Sequence, residues 1–466
     1  MAIRFLRHYV HLPFALLAVV ETALLFGCAI GATYLRLGAN EGGIAGSWSL
    51  TFWRSSLFAG ATLVWMISMG LYSARQRARI EGIIMRVGAA LIGAVLLVAL
   101  ISYFFPDIYF GRGVLALAAL GAMTLLCAVR VLFARVVDEN IFKRRVLVYG
   151  AGKQAMSISQ LRRRADQRGF SVVGYVAAEG RAPSVAGDRL VDPQGPLSAF
   201  AEANEIDEIV VAMDERRQAF PVHDLLECRL AGVEVTDLVS FLERETGKVR
   251  LDVLNPSWMI FARGFSRDPW RQLTSRSFDV TAALVLLVLL SPLMVLTALG
   301  ILLEDGPRAP VFYRQRRVGK DGREFNLLKF RSMRPDAESD GKARWAQTGD
   351  ARVTRVGGVI RKTRLDELPQ LLIVLSGAMS FVGPRPERPE FVASLSETIP
   401  YYRERHCVKP GITGWAQLCY PYGSSERDAM EKLQYDLYYV KNHSLVFDLM
   451  ILLQTVEVVV LGKGAR

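Results

Sequence analysis

Apolar residues gather first into four long runs, Leu12 to Leu35, Leu50 to Tyr72, Ile84 to Phe105 and Gly113 to Phe133. At a rise of about 1.5 Å per residue, each is long enough to cross roughly 30 Å of hydrocarbon. The pattern predicts a four-helix transmembrane block over residues 1–140. Basic residues sort by side. Arg4 and Arg7 precede the first run, Arg75, Arg77, Arg79 and Arg86 separate the second from the third, and Lys143, Arg144 and Arg145 follow the fourth. Loops 36–49 and 106–112 carry few, so the positive-inside rule puts both ends of the block in the cytoplasm. The first run is longer than the apolar segment of an export signal and contains Glu21, which favours a retained span. Glu21 and Arg54 are expected to serve helix packing or snorkelling rather than a polar path.

From Arg145 the pattern changes to short β-branched runs alternating with polar amphipathic segments. Arg145 to Tyr149, Val172 to Ala177, Glu208 to Met213 and Gly232 to Leu238 read as strands of a Rossmann-like parallel α/β module over residues 141–255. After the first strand come Gly150 and Gly152 in a Gly-x-Gly-x-x-Ala turn, and Met156 to Arg168 reads as the next helix. Strand, glycine turn and helix are the setting of a dinucleotide fingerprint. The first acidic residue after the second strand, Glu179, lies later than the offset of about 20 residues expected of a ribose ligand. Nucleotide binding and a structural or oligomerising role both stay open for this module.

A fifth run, Val280 to Leu303, carries no charge and is long enough to span. Arg263, Arg267, Arg271 and Arg276 precede it, and Arg308, Arg314, Arg316, Arg317 and Lys320 follow, which draws both ends to the cytoplasm. Ser291 and Pro292 stand at its midpoint. Proline removes one helical hydrogen bond, and a serine hydroxyl can satisfy the freed carbonyl. The expectation is a re-entrant hairpin over about residues 278–304 rather than a kinked crossing. A crossing would put the rest of the chain outside the cell, away from nucleotide-activated donors.

Composition now adds the charge. The chain has 466 residues, 51% apolar and 22% charged, with mean hydropathy +0.24, which excludes both a disordered chain and one embedded along its whole length. The length suits about three folding units. Fifty-seven Lys plus Arg against 45 Asp plus Glu leave +12, which suits an anionic partner. Cys28, Cys127, Cys228, Cys407 and Cys419 form neither a disulfide framework nor a metal-ligand spacing, in keeping with a reducing compartment. No basic helix, RNA-binding module or zinc pattern appears, so no nucleic-acid partner is expected.

The candidate chemistry lies in the last third. Four segments stand out: Lys329-Phe-Arg-Ser-Met333, Arg361-Lys-Thr-Arg-Leu-Asp-Glu-Leu-Pro-Gln370, Val382-Gly-Pro-Arg-Pro-Glu387 and Lys409-Pro-Gly-Ile-Thr-Gly-Trp-Ala-Gln417. Pro369 disfavours the α region at Leu368 yet suits a first helical turn, which places Asp366 and Glu367 just before a helix N-terminus. Two adjacent carboxylates among Lys329, Arg331, Arg361, Lys362, Arg364 and Arg385 suit a site that holds Mg²⁺ and phosphates. One carboxylate can attack phosphorus while the other holds the metal, provided that cations neutralise the phosphate. An isolated Asp-Glu pair is more often a helix-end charge.

The order and content of these segments resemble the bacterial sugar transferases, the monotopic polyprenyl-phosphate hexose-1-phosphate transferases. The resemblance covers residues 270–466, and four spans plus an α/β module match the layout of the large members. It implies a phosphoglycosyl transferase that moves a sugar 1-phosphate from a UDP-sugar to undecaprenyl phosphate with Mg²⁺, releasing UMP, in exopolysaccharide biosynthesis. It further implies that Asp366 is the nucleophile of a ping-pong reaction and that Glu367 assists metal binding or catalysis. Ser291 and Pro292 match the family's break in a re-entrant helix, and Arg385 is implied near donor phosphate or nucleotide. The implied fold is a membrane protein, α plus α/β, with a mostly helical catalytic domain over residues 256–466 on the cytoplasmic face of the bacterial inner membrane. Homo-oligomerisation stays open.

Tyr420-Pro-Tyr-Gly423, Glu431 to Asn442 and the closing Gly462 to Arg466 resemble the exosortase-associated exopolysaccharide subgroup. Ile373 and Ala378 depart from the family's usual Asn and Asp, so any support from those two side chains is absent. Ser444 to Leu461, interrupted by Asp448, Gln454 and Glu457, reads as a helix on the bilayer surface or as ordinary packing. Tyr438 and Tyr439 read as headgroup anchors or as core. Two other functions compete. A nucleotide-sugar dehydratase or epimerase needs Tyr-x-x-x-Lys, which occurs only as Tyr149 to Lys153 inside the glycine turn. A non-catalytic scaffold for polysaccharide assembly sits poorly with the intact charged motifs.

Overall fold

In a computed structural model the described residues are 2–5, 8–38, 48–72, 80–136, 143–161, 169–177, 183–214, 220–254, 269–334, 352–420, 423 and 425–460. Arg7, Arg75, Arg77, Arg79, Glu179, Arg263, Arg267 and the closing Gly462 to Arg466 lie outside them. The chain divides into two compact units, Met1–Leu254 and Asn255–Arg466.

The first unit opens with a hairpin of β1 (Ala2–Phe5) and β2 (His8–His11), a segment the sequence offered only as a basic flank. Four helices follow: α1 (Leu12–Leu37), α2 (Trp48–Ser68), α3 (Ile80–Phe104) and α4 (Arg112–Val136). Each packs on two others, α1 against α2 and α4 and α3 against α2 and α4. By length and apolarity α1, α3 and α4 are candidate spans. The second run, also expected to span, forms a 21-residue helix. The α2 helix is present, but Arg54 and the hydroxyls of Thr51, Ser55, Thr62 and Ser68 leave it less apolar than its neighbours. Glu21 on α1 is fully buried, and Arg130 on α4 grips it through Nε at 2.7 Å and Nη2 at 2.8 Å. The Tyr72 hydroxyl donates to the same carboxylate at 2.5 Å, and Arg130 also donates to the Leu71 carbonyl at 2.9 Å. Opposite charges that are costly singly thus cancel inside the bundle.

A parallel sheet follows in the order β5 (Leu190–Val191), β4 (Phe170–Val176), β3 (Arg144–Tyr149), β6 (Glu208–Val211), β7 (Glu234–Asp237). The four strands read from the sequence are all there. The edge strand β5 was missed because two residues leave no alternation to read. Val146, Val148 and Val210 face one core with Phe241, whereas Leu147, Ile209 and Val211 face another with Leu225, as side chains alternating across a sheet must. The first helix is α5 (Lys153–Ser159), earlier than expected, and residues 162–168 are outside the described set. The helices α6 (Leu197–Ala203), α7 (Val222–Leu230) and α8 (Leu238–Thr246) complete the module.

The second unit begins with α9 (Pro269–Asp305), a candidate span by the same measure. Its helix is unbroken in secondary structure at Ser291 and Pro292. Pro292 cannot donate to the Val288 carbonyl, and the Ser291 hydroxyl does so instead at 2.9 Å. Leu284, Val285, Val288, Leu289, Leu296 and Leu303 are exposed, an apolar surface suited to lipid. Both ends are tied to the unit. Near the start, Arg276 donates to the Val374 and Leu375 carbonyls, and Asp279 accepts from Ser380 and the Phe381 amide. Near the end, Glu304 accepts from the Arg355 and Val356 amides, and Ile301 packs with Phe330 and Ile360.

Beyond α9 come the antiparallel β8 (Phe312–Val318) and β9 (Glu324–Phe330), then α10 (Arg355–Lys362), α11 (Gln370–Ser376), β10 (Ser380–Val382), α12 (Pro389–Thr398), β11 (Gly411–Thr413), α13 (Trp415–Cys419), α14 (Glu426–Asn442) and α15 (Leu445–Val460). Tyr438 and Tyr439 are buried with Trp415 and Phe447, so they are core residues and not headgroup anchors. The α15 helix buries Phe447, Asp448 and Ile451 in the unit.

Candidate functional site

Two loops and a turn converge. The first loop leaves β10 as Gly383-Pro-Arg-Pro, and the second enters β11 as Lys409-Pro-Gly. These short strands run parallel, with the Gly383 amide donating to Thr413 at 2.9 Å and the Gly411 amide to Pro384 at 3.1 Å. Glycine is required at the crossing. A Cβ on Gly383 would meet the Lys409 carbonyl oxygen at 2.3 Å, and one on Gly414 would meet that of Gly383 at 2.2 Å. The loop carrying Arg385 is held from behind by Arg405, which donates to the Arg385 carbonyl at 3.0 Å and to Asp436 at 2.8 and 3.1 Å.

The turn is Leu365–Glu367, a single 3-10 turn entered through Arg364 at φ 60. A non-glycine residue in the left-handed region costs about 1–2 kcal/mol and marks a turn fixed by its surroundings. Here the reversal after α10 carries Asp366 and Glu367 back towards β9. The Lys329 Nζ lies 2.9 Å from Glu367 Oε1, with Arg385 at 3.5 Å and Arg364 at 4.0 Å from the same oxygen. Burial works against the charge on Glu367, but Lys329, Arg385 and Arg364 outweigh it and hold the carboxyl down at about 2. For Asp366, 8% exposed, burial prevails, and with the charge of Glu367 it raises the carboxyl against the pull of Lys329, Arg364 and Arg361. Neighbouring carboxylates pushed in opposite directions are suited to different tasks.

Lys329, Arg361, Arg364 and Arg385 therefore surround the pair. Two residues read as part of the same set stand apart. Arg331 is buried and pairs with Asp305 at 2.6 Å, and Lys362 is exposed in the last turn of α10. The expected exclusion of Leu368 from the α region also fails. Leu368 has φ −56 and ψ −37, because its amide donates to Leu365 and its side chain joins the Ile301 cluster, which together offset the steric bias before Pro369. Arg405, Asp436 and Gln417 were missed. Gln417 accepts from Arg385 at 3.4 Å, and it closes a motif the sequence displayed, whereas the partnership of Arg405 with Asp436 has no spacing signal. Ile373 lies on α11, and Ala378 follows its C-cap, Gly377.

At the other candidate site, Gly150 at φ +125 starts the turn and Gly152 caps α5. The amides of Lys153 and Gln154 that a phosphate would use already donate to Asp214, at 3.0 and 2.8 Å. A Cβ on Gly152 would lie 2.2 Å from that carboxylate.

Residues 270–462 match the family model "Bacterial sugar transferase", and residues 68–228 match one described as "CoA-binding domain". A UDP-N-acetylgalactosamine-undecaprenyl-phosphate N-acetylgalactosaminephosphotransferase of Aeromonas hydrophila is 43% identical over 52% of the chain and 56% of its own length. An undecaprenyl-phosphate glucose phosphotransferase of Komagataeibacter xylinus is 33% identical over 69% of the chain, and the match spans 60% of that relative. A UDP-glucose:undecaprenyl-phosphate glucose-1-phosphate transferase of Escherichia coli is 32% identical over 75% of each chain. With its apolar helices, parallel sheet and shared transferase region, the chain belongs to the bacterial sugar transferase family.

Proposed function

We propose that this protein transfers a sugar 1-phosphate from a UDP-sugar to undecaprenyl phosphate, as a membrane step of exopolysaccharide synthesis. The observation that carries the reading is Asp366, buried beside an ionised Glu367 and inside a ring of four cations. An Asp366 carboxylate oxygen attacks the sugar-bearing phosphorus, the bond from that phosphorus to the bridging oxygen breaks, and UMP leaves with the electron pair. The acceptor phosphate oxygen then attacks the same phosphorus and releases Asp366. Lys329, Arg364 and Arg385 offset the charge of the donor phosphates.

Among the described residues no cluster of three or more His, Cys, Asp or Glu side chains forms a metal cage. Mg²⁺ fits nonetheless, since it is ordinarily held by one or two carboxylates plus substrate phosphates, here Asp366, Glu367 and the donor. When bound, it supplies Lewis-acid stabilisation of phosphate charge.

A cytoplasmic site requires that α9 enter and leave the membrane on one side. A straight helix advances about 37 Å from Arg276 to Ile301. Arg276 bonds Val374, while Ile301 shares an apolar cluster with Leu368, only six positions before Val374 in the chain. Such tethers favour a helix bent at Pro292. For the α/β module, the Asp214 cap favours a structural role over nucleotide binding.

The test incubates purified protein with UDP-sugars, undecaprenyl phosphate and Mg²⁺ and follows UMP. Release that depends on the lipid and vanishes in Asp366→Asn is expected, and full activity in that variant overturns the nucleophile. Cysteines placed at 270 and 310 are expected to label from the same side, and labelling from opposite sides overturns the re-entrant path.

A further inference from the structure

The strand leading to Arg385 is held by buried polar groups that the reaction itself does not use. Asp279 on α9 accepts from the Ser380 hydroxyl and the Phe381 amide at 3.0 and 3.1 Å. One residue further, the Tyr439 hydroxyl on α14 lies 3.1 Å from the Val382 carbonyl and 2.7 Å from Asp448 Oδ1 on α15. Thr455 on α15 also meets Thr413 of the paired strand at 2.8 Å. Tyr439 and Asp448 are 3% and 6% exposed, so water does not freely complete this set.

A hydroxyl has one hydrogen, and two acceptors compete for it. With Asp448 ionised, Tyr439 donates to the carboxylate and leaves the Val382 carbonyl without that bond. With Asp448 neutral, the acid donates to the hydroxyl and the hydroxyl donates to Val382, so every partner is satisfied. We propose that Asp448, as the neutral acid, is a positioning residue for the Gly-Pro-Arg-Pro loop, passing a hydrogen bond through Tyr439 to Val382 and so fixing Arg385 against Glu367. The charged and titratable groups facing Asp448 are Asp279 and Arg271 on α9 and Tyr439 on α14. Burial is the largest influence and Asp279 adds to it, against Tyr439 and Arg271, which puts the carboxyl up at about 7.

The inference rests on the transfer reaction proposed above. Its test compares the pH dependence of UMP release for wild type, Asp448→Asn and Tyr439→Phe, each in a detergent-purified full chain. Asparagine donates to Tyr439 as the neutral acid does but cannot ionise. Wild-type kcat is expected to fall as pH rises through about 7, while Asp448→Asn stays within a few-fold of the acid-side rate and loses that inflection. Tyr439→Phe is expected to lower kcat about threefold to tenfold with KM little changed. The acceptor phosphate titrates in the same range in all three proteins, so the difference between profiles isolates Asp448. Superposable profiles for wild type and Asp448→Asn overturn the inference alone, as does an Asp448→Asn variant as inactive as Asp366→Asn. Wild type that releases no UMP overturns both this inference and the reaction it rests on.

Discussion

Replacing Arg405 by methionine separates what this residue does for stability from what it does for the site. Its guanidinium donates twice to Asp436, once to the Tyr402 hydroxyl at 3.0 Å and once to the Arg385 carbonyl, and lies 5.2 Å from the Tyr402 ring centre. Asp436 is 2% exposed, so Arg405→Met strands a carboxylate away from water. Breaking a buried pair in this way costs about 3–5 kcal/mol. For a unit of about 150–250 residues, at about 2–4 °C per kcal/mol, the unfolding midpoint falls by about 6–20 °C. Most of that cost belongs to the stranded charge, so Arg405→Met with Asp436→Leu should recover much of it. Activity should not recover, because the Arg385 carbonyl still lacks its donor. Thermal unfolding of the purified chain in lipid nanodiscs reads the first effect and UMP release the second. A double variant less stable than Arg405→Met refutes the stranded-charge account, and one with wild-type activity refutes the hold on Arg385.

Asp366→Asn should lower UMP release by about three or more orders of magnitude, as loss of a nucleophile does, with the folded chain retained by size-exclusion chromatography. Glu367 is held at about 2, below its ordinary value, so the stability it contributes is complete above its unfolded pKa and is lost only as pH falls through about 2. Between pH 5 and 8 it should therefore produce no acid limb in the wild-type rate, and an acid limb traced to Glu367 in that range would contradict this. Glu304→Ala removes the acceptor of the Arg355 and Val356 amides, leaving the Thr354 cap of α10 in place, and should lower the midpoint by the equivalent of about 1 kcal/mol, read by thermal unfolding. Asp214→Ala frees the Lys153 and Gln154 amides and should cost a similar amount if the carboxylate is a structural cap.

What the sequence made legible follows from local rules. The short apolar runs in Arg144–Tyr149 and Glu208–Val211 were legible because a strand buried on both faces is apolar along its length. Glycines at 383, 411 and 414 mark a backbone crossing, and Asp366, Glu367, Lys329, Arg361, Arg364 and Arg385 do converge. The misses are long-range pairings. Nothing near Arg331 in sequence announces Asp305, and Arg130 lies 109 positions from Glu21. At Pro292 the local rule held, since the Ser291 hydroxyl serves the Val288 carbonyl that proline cannot, and the helix stays continuous in secondary structure there. Asp448 was read as a blemish in an apolar segment, when its partner Tyr439 lies one helix earlier.

The crossing of Gly383, Gly411 and Gly414 limits how this transferase can change. Each would place a new methyl group 2.1–2.3 Å from backbone of the other loop, and backbone cannot step aside as a flexible side chain can. The two loops consequently behave as one welded piece, and substitution can alter the site here only through side chains projecting outward from the weld. Engineering of this site should leave those three positions untouched.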